Sequence, residues 1–199
     1  LLVVATAWMI NLYNFMDGYD GLAGGMAAIG FGAYSAAAGL AGHLPLASMC
    51  AALAAAPLAR AGVDEDVHAL QQQWEQIKYR KAVADQAKAY ETLAATAAGV
   101  RARHADRAEP EIWYGIILAS YAGAKGGLGA LGLAKDAKAA LEHALTLDPK
   151  ALQGSAYTSL GSLYYQVPGW PIGFGNDAKA RELLDQALAL NPEDRKSVV

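Results

Sequence analysis

Hydrophobic and polar residues are unevenly distributed along the chain, and their pattern changes near residue 60. Residues 1–10 are apolar, and two further apolar runs, 22–42 and 44–59, follow a polar, glycine-rich segment. The second run holds about 20 residues without a charge, enough for a helix to cross a bilayer core of about 30 Å. Pro57 limits the third run. This pattern predicts transmembrane-like helices in residues 1–59, with a buried hairpin as the alternative.

Beyond residue 62 the apolar residues recur at helical spacing, and the segment repeats itself. The second unit follows the first at an offset of 43 residues: Tyr157, Leu160, Tyr164, Ala180, Leu184 and Ala187 align with Tyr114, Ile117, Tyr121, Ala137, Leu141 and Ala144. Each unit reads as a helix, a glycine-rich connection and a second helix. Each then ends at Asp-Pro or Asn-Pro, because proline cannot continue a helix.

Two glycine-rich segments, 122–133 and 167–176, fall at the same place in the two units and are predicted to connect the paired helices. Ahead of them, residues 66–79 and 83–102 are predicted to form a third helix pair. Three pairs are close to the minimum at which stacked repeats bury a continuous core. Residues 62–192 are therefore predicted to be an array of helix pairs. Residues 193–199 are predicted to be a disordered or artefactual tail.

Charge follows the same division of the chain. No Lys or Arg precedes Arg60, and Asp17 and Asp20 are the only formal charges before it. All 16 basic residues lie from Arg60 onward, interleaved with acidic ones, and the net charge is −3. This balance predicts no attraction to nucleic acid. Cys50 is the single cysteine, which excludes an intrachain disulfide and a thiolate metal site.

The polar segment between the first two apolar runs carries two carboxamides, Asn11 and Asn14, and two carboxylates, Asp17 and Asp20. Charged groups beside apolar spans are costly and tend to mark substrate or ion sites. Two carboxylates three residues apart, with glycines between and after them, can share one Mg²⁺, which also binds phosphate oxygens. The segment is therefore a candidate metal-assisted phosphate site.

The spacing N-x-x-N-x-x-D-G-x-D-G-L-A, from Asn11 to Ala23, resembles the motif of the polyprenyl-phosphate N-acetylhexosamine-1-phosphate transferases of glycosyltransferase family 4. The resemblance covers about residues 1–56. It implies Mg²⁺-dependent transfer of a phospho-N-acetylhexosamine from a UDP-sugar to a lipid phosphate. It also implies that Asp17 and Asp20 are active-site carboxylates that bind Mg²⁺, supported by Asn11 and Asn14.

This sequence lacks the family's upstream aspartate pair and its later G-D-x-G-S and histidine-rich loops. We therefore expect the fragment to be catalytically incomplete and the chain to need no cofactor. The likeness stops near Ala56, where an unrelated sequence begins. We expect residues 1–59 to associate with a membrane.

The second repeat unit contains Tyr157-x-x-Leu160-Gly161-x-x-Tyr164, followed by Ala180, Leu184, Ala187 and Pro192. This spacing resembles the tetratricopeptide (TPR) repeat of bacterial proteins. The resemblance implies an all-α array of antiparallel helix pairs that binds a protein or peptide. In the first unit Leu118 stands where the signature has glycine, which predicts a wider separation of its two helices.

Five aromatic residues are candidates for contact with a partner. Four tyrosines recur along the predicted first helices, where most must also pack between helices: Tyr114, Tyr121, Tyr157 and Tyr164. Trp170 lies in the second glycine-rich connection and is predicted either to cap the core or to contact a partner. The predicted function is a protein- or peptide-binding scaffold fused to an incomplete transferase fragment. The alternative is the transferase activity itself.

Two other motifs have competing interpretations. Residues 44–61 end in Ala59-Arg60-Ala61, which fits a signal-peptide cleavage site after an apolar run. A cleaved leader predicts export to the periplasm, whereas a continuous fusion predicts association with the bacterial inner membrane. Residues 127–132 match G-x-G-x-x-G, but a dinucleotide site needs a preceding strand. The helical repeat argues against that strand.

Overall fold

The computed structural model describes residues 20–192, and these form helices and connections with no β-strand among them. Seven α-helices follow one another: α1 (Asp20–Leu40), α2 (Leu44–Arg80), α3 (Val83–Arg103), α4 (Ala108–Lys125), α5 (Gly127–Leu147), α6 (Ser155–Gln166) and α7 (Asp177–Leu190). A short turn, Ala151–Gly154, precedes α6. The chain divides into two compact units, Leu1–Glu65 and Asp66–Val199. The all-α prediction is confirmed for the described residues.

In the first unit, α1 turns into α2 at Gly42, whose φ of +77° suits a residue without a Cβ. The Ser35 hydroxyl donates a 2.8 Å hydrogen bond to the carbonyl of Ala47 and so ties the two helices together. No helix among residues 20–192 is both long and apolar enough to cross a membrane. The prediction of transmembrane-like helices is therefore not confirmed for these residues. In α1, six of the 21 residues are glycine, which lowers the mean hydropathy of the helix.

Helix α2 begins much earlier than the helix predicted at residue 66 and runs through Pro57. An internal proline removes one backbone hydrogen bond and usually kinks or breaks a helix, which is why the sequence predicted an end there. The segment 44–61, interpreted above as a possible leader, lies inside this helix.

In the second unit, the end of α2 and all of α3 form the predicted pair, with ends one residue beyond the predicted ones. The Asp66 carboxylate accepts hydrogen bonds from Arg103 at 2.9 Å and His104 at 3.0 Å, which joins the two helices. At the other end, the Gln86 amide donates to the carbonyl oxygens of Lys78 and Lys81.

The pairs α4–α5 and α6–α7 pack by the same contact. A Cβ on Gly115 would lie 2.7 Å from Leu141 Cγ, and a Cβ on Gly161 would lie 2.8 Å from Leu184 Cγ. Both glycines therefore allow the paired helices to approach closely. The wider spacing predicted from Leu118 is wrong, because Gly115 fills this role one helical turn earlier. The offset of 43 residues fits the second helices but not the first.

The two glycine-rich segments differ. Residues 122–133, predicted to be a connection, continue α4 and α5 up to a turn at Gly126 and Gly127, whose φ angles are +62° and +63°. Residues 167–176 form a true loop, which is held by hydrogen bonds from Gly175 to Pro168 and from Asn176 to Tyr164. The Asn176 side chain then caps α7 by accepting from the Lys179 amide at 3.0 Å.

The pairs α4–α5 and α6–α7 share one apolar cluster. Its buried members come from both pairs and from the turn between them: Ala108, Ile112, Leu141, Ala144, Ala151, Ala156, Leu160 and Leu183. The connecting turn holds Leu152 and Gln153 at φ of 48° and 56°, in the left-handed region. The second pair thus packs directly on the first.

Candidate partner-binding groove

A groove of about 570 Å³ lies in the second unit, where α3, α4 and α6 face one another. Its walls come from the end of α2 and the start of α3 on one side, and from α4 and α6 on the other. The lining side chains are mostly small or polar: Lys78, Val83, Gln86, Tyr90, Ile116, Ala119, Ser120, Gly123, Ala124, Thr158, Ser159, Ser162, Leu163 and Gln166. The volume lies within the range of about 300–1,000 Å³ typical of ligand sites.

Tyr90 is the unusual member of this lining. Its side chain is 1% exposed, and its hydroxyl is buried without a hydrogen-bond partner. The neighbouring Ser120 hydroxyl accepts from Trp74 Nε1 at 2.8 Å and donates its proton to the Ile116 carbonyl at 2.9 Å, so it has no proton left to donate to Tyr90. Buried polar groups in native proteins are almost always paired. An unpaired phenol on a residue that lines a groove is therefore a candidate donor to a ligand.

Burial, and then the nearby Tyr79 phenol, raise the pKa of Tyr90 above its usual value. The Ser120 hydroxyl lowers this pKa, because it approaches the phenol, although without the geometry of a hydrogen bond. Because the phenol is already neutral at pH 7, the raised pKa keeps it protonated and able to donate. Of the lining residues, all within the described part of the chain, only Lys78 carries a charge. The groove is therefore suited to a ligand that accepts hydrogen bonds and carries little charge.

The faces of α4 and α6 that line the groove carry small side chains. Ala119 and Gly123 of α4 line the groove together with Ser159 and Ser162 of α6. Small side chains allow a second backbone to approach closely, and hydroxyl groups can pair with its amides and carbonyls. These small side chains were not among the predicted contact residues, because the aromatic residues were the candidates on the first helices. The spacing of Ser159, Ser162 and Gln166 along one helix was the available signal.

None of the four predicted tyrosines lines this groove. Tyr121 is buried, and its hydroxyl lies 3.4 Å from Lys125 Nζ. The Arg101 guanidinium stands 4.6 Å from the centre of the Tyr114 ring. Tyr157 packs against the shared apolar cluster, and Tyr164 packs edge-to-face on Phe174 at 5.4 Å. Their contact with a partner stays a prediction.

Trp170 is 90% exposed and does not cap the core, so that interpretation is wrong. The hydrogen bonds of the loop at 167–176 hold it outward instead. Ile172, in the same loop, is also exposed. Contact of Trp170 with a partner stays a prediction.

The residues of the predicted phosphate site lie at the edge of the described chain. Asn11, Asn14 and Asp17 are outside the described residues, and Asp20 is the first residue of α1. Within the described range, no group of three or more His, Cys, Asp or Glu side chains could hold a metal ion. The Mg²⁺ site implied by resemblance stays a prediction.

The G-x-G-x-x-G match at 127–132 is helical, and the apolar segment before it belongs to α4. A phosphate-binding turn needs a strand before it and free backbone amides at the turn. The helical fold of this segment therefore agrees with the prediction that it is not a dinucleotide site.

Residues 1–61 match the sequence model of the family described as Glycosyl transferase family 4. This finding confirms the resemblance of the N-terminal segment, and the match covers less than a third of the chain. No curated protein matches the chain. The family match does not reach residues 62–192, so their resemblance to TPR repeats stays a prediction.

Proposed function

We propose that residues 66–192 form a TPR-like module that binds an extended segment of a partner protein in the groove between α3, α4 and α6. The observation that supports this most directly is Tyr90, a residue of the groove lining whose hydroxyl is buried without a hydrogen-bond partner. A backbone carbonyl of the bound segment would accept its hydrogen bond. Ser159 and Ser162 would pair with neighbouring polar groups of the same segment.

The charge of the groove indicates which kind of partner segment it can bind. With Lys78 as the charged lining residue among those described, the groove gives no electrostatic reason to select a highly charged segment. Small side chains on α4 and α6 leave room for the backbone of a segment rather than for large side chains. The proposed ligand is therefore a mostly uncharged polypeptide, recognised through its backbone.

The first prediction concerns Tyr90→Phe in the full chain. Peptides selected from a random displayed library against the wild-type protein should bind this variant about tenfold more weakly, since one hydrogen bond to a buried donor is lost. The stability of the free variant should stay equal or rise, because the substitution removes an unpaired buried hydroxyl. Titration calorimetry and urea unfolding measure the two effects.

Tyr165→Phe is the matched control, because this exposed tyrosine lies outside the groove. Its affinity for the selected peptides should be unchanged. Ser162→Tyr, which fills the groove, should abolish binding while circular dichroism confirms the helices. The proposal is wrong if the library yields no binder that is sensitive to both Tyr90→Phe and Ser162→Tyr.

The family match at residues 1–61 favours a second candidate, the Mg²⁺-dependent transfer of an N-acetylhexosamine phosphate to a polyprenyl phosphate. In this reaction the lipid phosphate attacks the sugar phosphate, and UMP leaves. Asp17 and Asp20 would hold Mg²⁺, and Asn11 and Asn14 would support them. We expect no UMP release above background from residues 1–199, because the G-D-x-G-S and histidine-rich loops of the family do not occur in residues 62–199. Release that depends on Asp17 would favour the enzyme instead.

A further inference from the structure

The second unit has another cavity, at the point where α2 turns into α3. Its volume is about 560 Å³, and it is lined by the last residue of α2, the connection and the first turns of α3. The polar lining side chains are Arg80, Lys81, Asp85, Lys88 and Thr92. The cavity shares none of its described lining residues with the groove. We call this cavity the turn pocket.

Unpaired positive charge is the unusual feature of the turn pocket. Its lining holds three cations, Arg80, Lys81 and Lys88, and one carboxylate, Asp85. Within residues 20–192, none of these four side chains takes part in a salt bridge. Elsewhere in the second unit, salt bridges hold five lysine and arginine side chains: Arg101, Arg103, Arg107, Lys138 and Lys179. The turn pocket therefore keeps an excess of positive charge, which favours an anionic ligand.

Two elements of fixed position carry these cations. The Gln86 amide donates hydrogen bonds to the carbonyl oxygens of Lys78 at 3.4 Å and Lys81 at 3.3 Å, which holds the connection on the start of α3. Asp85 and Lys88 are three residues apart and so lie on one face of α3. An anion in the turn pocket can therefore contact cations from the end of α2 and from α3 at the same time.

We propose that the turn pocket binds a phosphate monoester group through Arg80, Lys81 and Lys88. Three cations beside one carboxylate match the charge of such a group, about −1.5 to −2 at pH 7. A guanidinium can donate to two phosphate oxygens at once, and each ammonium adds a compact positive charge. Binding at this site does not depend on the proposed peptide groove, because the two cavities have different linings.

The extent of the basic patch favours a single phosphate group over a long polyanion. The cations of the turn pocket lie at one helix connection with Asp85 among them, and the whole chain has a net charge of −3. Proteins that bind nucleic acid normally present a longer basic surface and a positive net charge. The ligand is therefore expected to be a phosphorylated small molecule or a phosphate monoester headgroup.

An NMR titration of the full chain with inorganic phosphate, at constant ionic strength with chloride as the reference anion, tests the proposal. Phosphate should cause saturable amide shifts that are confined to the end of α2 and the start of α3. The double variant Arg80→Gln, Lys88→Gln should raise the phosphate dissociation constant about tenfold, since two charge-assisted contacts are lost. The control Lys135→Gln, Lys150→Gln removes the same charge from exposed positions elsewhere in the unit and should change nothing.

A change of opposite sign separates the site from general surface charge. Asp85→Asn removes the acid from the turn pocket and should lower the phosphate dissociation constant about threefold. Asp136→Asn, an exposed change on α5, is its control and should have no effect. The proposal is overturned by equal shifts with phosphate and chloride. It is also overturned if Arg80→Gln, Lys88→Gln leaves the dissociation constant unchanged, whatever the peptide-binding result.

Vesicles distinguish the two sources of the phosphate group. The full chain is sedimented with phosphatidylcholine vesicles that contain or lack phosphatidic acid, whose headgroup is a phosphate monoester. Extra binding to phosphatidic acid that Arg80→Gln, Lys88→Gln abolishes would support a lipid headgroup as the ligand. Saturable binding of inorganic phosphate without this extra binding would support a soluble phosphate monoester.

Discussion

At the scale of single residues, two glycines set the distance between paired helices. Gly115 faces Leu141 and the Ala137 carbonyl, and Gly161 faces Leu184 in the same way. A helix normally disfavours glycine by about 0.5–1 kcal/mol relative to alanine. The cost is offset here by the close packing that the missing side chain allows. These glycines are therefore structural positions of the repeat.

Gly115→Ala and Gly161→Ala should each lower the free energy of unfolding by about 1–3 kcal/mol, because the new Cβ overlaps a packed leucine. Urea unfolding followed by circular dichroism measures the change. Gly132→Ala is the control, since a Cβ at this helical position would meet nothing within 4 Å. It should instead stabilise the chain by about 0.5–1 kcal/mol. Equal effects at Gly115 and Gly132 would contradict the packing argument.

At the scale of elements, one carboxylate links α2 to the end of α3. Asp66 is paired with Arg103 and His104 across the two helices. The hydrogen bonds from Arg103 and then His104 hold the pKa of Asp66 below its ordinary value, against the opposing effect of partial burial. A lowered pKa in the folded state means that the charged form stabilises folding.

The stabilisation from Asp66 should be fully present above the ordinary aspartate pKa of about 3.9 and should disappear as the pH falls through the lower native pKa. Asp66→Asn should therefore be less stable than the wild type at pH 6, and the difference should close toward pH 2. Urea unfolding across this pH range tests the sign. Glu91→Gln, an exposed change on α3, should show no such closing difference. A constant difference for Asp66→Asn would contradict the linkage.

In the second unit, the positions of the helices were easier to predict from sequence than the connections between them. The second helix pair could be predicted from Tyr157, Leu160 and the terminal Asn191-Pro192, because the effects of apolar spacing and of proline are local. The register of the first pair was missed, since Gly115 gains its meaning only from contact with Leu141. The extension of α4 and α5 into 122–133, up to the turn at Gly126 and Gly127, was also missed, because glycine there tolerates helix when packing favours it. The groove required the relative placement of three helices, which no local pattern contains.

At the scale of the second unit as a whole, the apolar cluster shared by α4–α5 and α6–α7 couples the two pairs. Ile112 of the first pair and Leu160 of the second are both buried members of this cluster. Repeat arrays gain stability from such interfaces between neighbours as well as from each repeat. Neither pair is therefore expected to open independently of the other.

Ile112→Ala should lower the free energy of unfolding by about 2–5 kcal/mol, because it leaves a cavity at a fully buried position. Hydrogen exchange by mass spectrometry should show faster exchange in α6 and α7 as well as in α4 and α5. Leu190→Ala, at a partly exposed position of α7, provides the comparison and should have a smaller, local effect. Faster exchange confined to α4 and α5 would show that the pairs unfold separately.

The hydrogen bond from the Trp74 indole to Ser120 has a practical consequence. It ties an intrinsic fluorophore, itself packed edge-to-face on Trp113 at 6.0 Å, to a side chain of the groove wall. A ligand that forms a hydrogen bond with the Ser120 hydroxyl changes the polarity around the indole and hence the wavelength of its fluorescence emission. Occupancy of the groove is thus readable by ultraviolet light alone, without a dye.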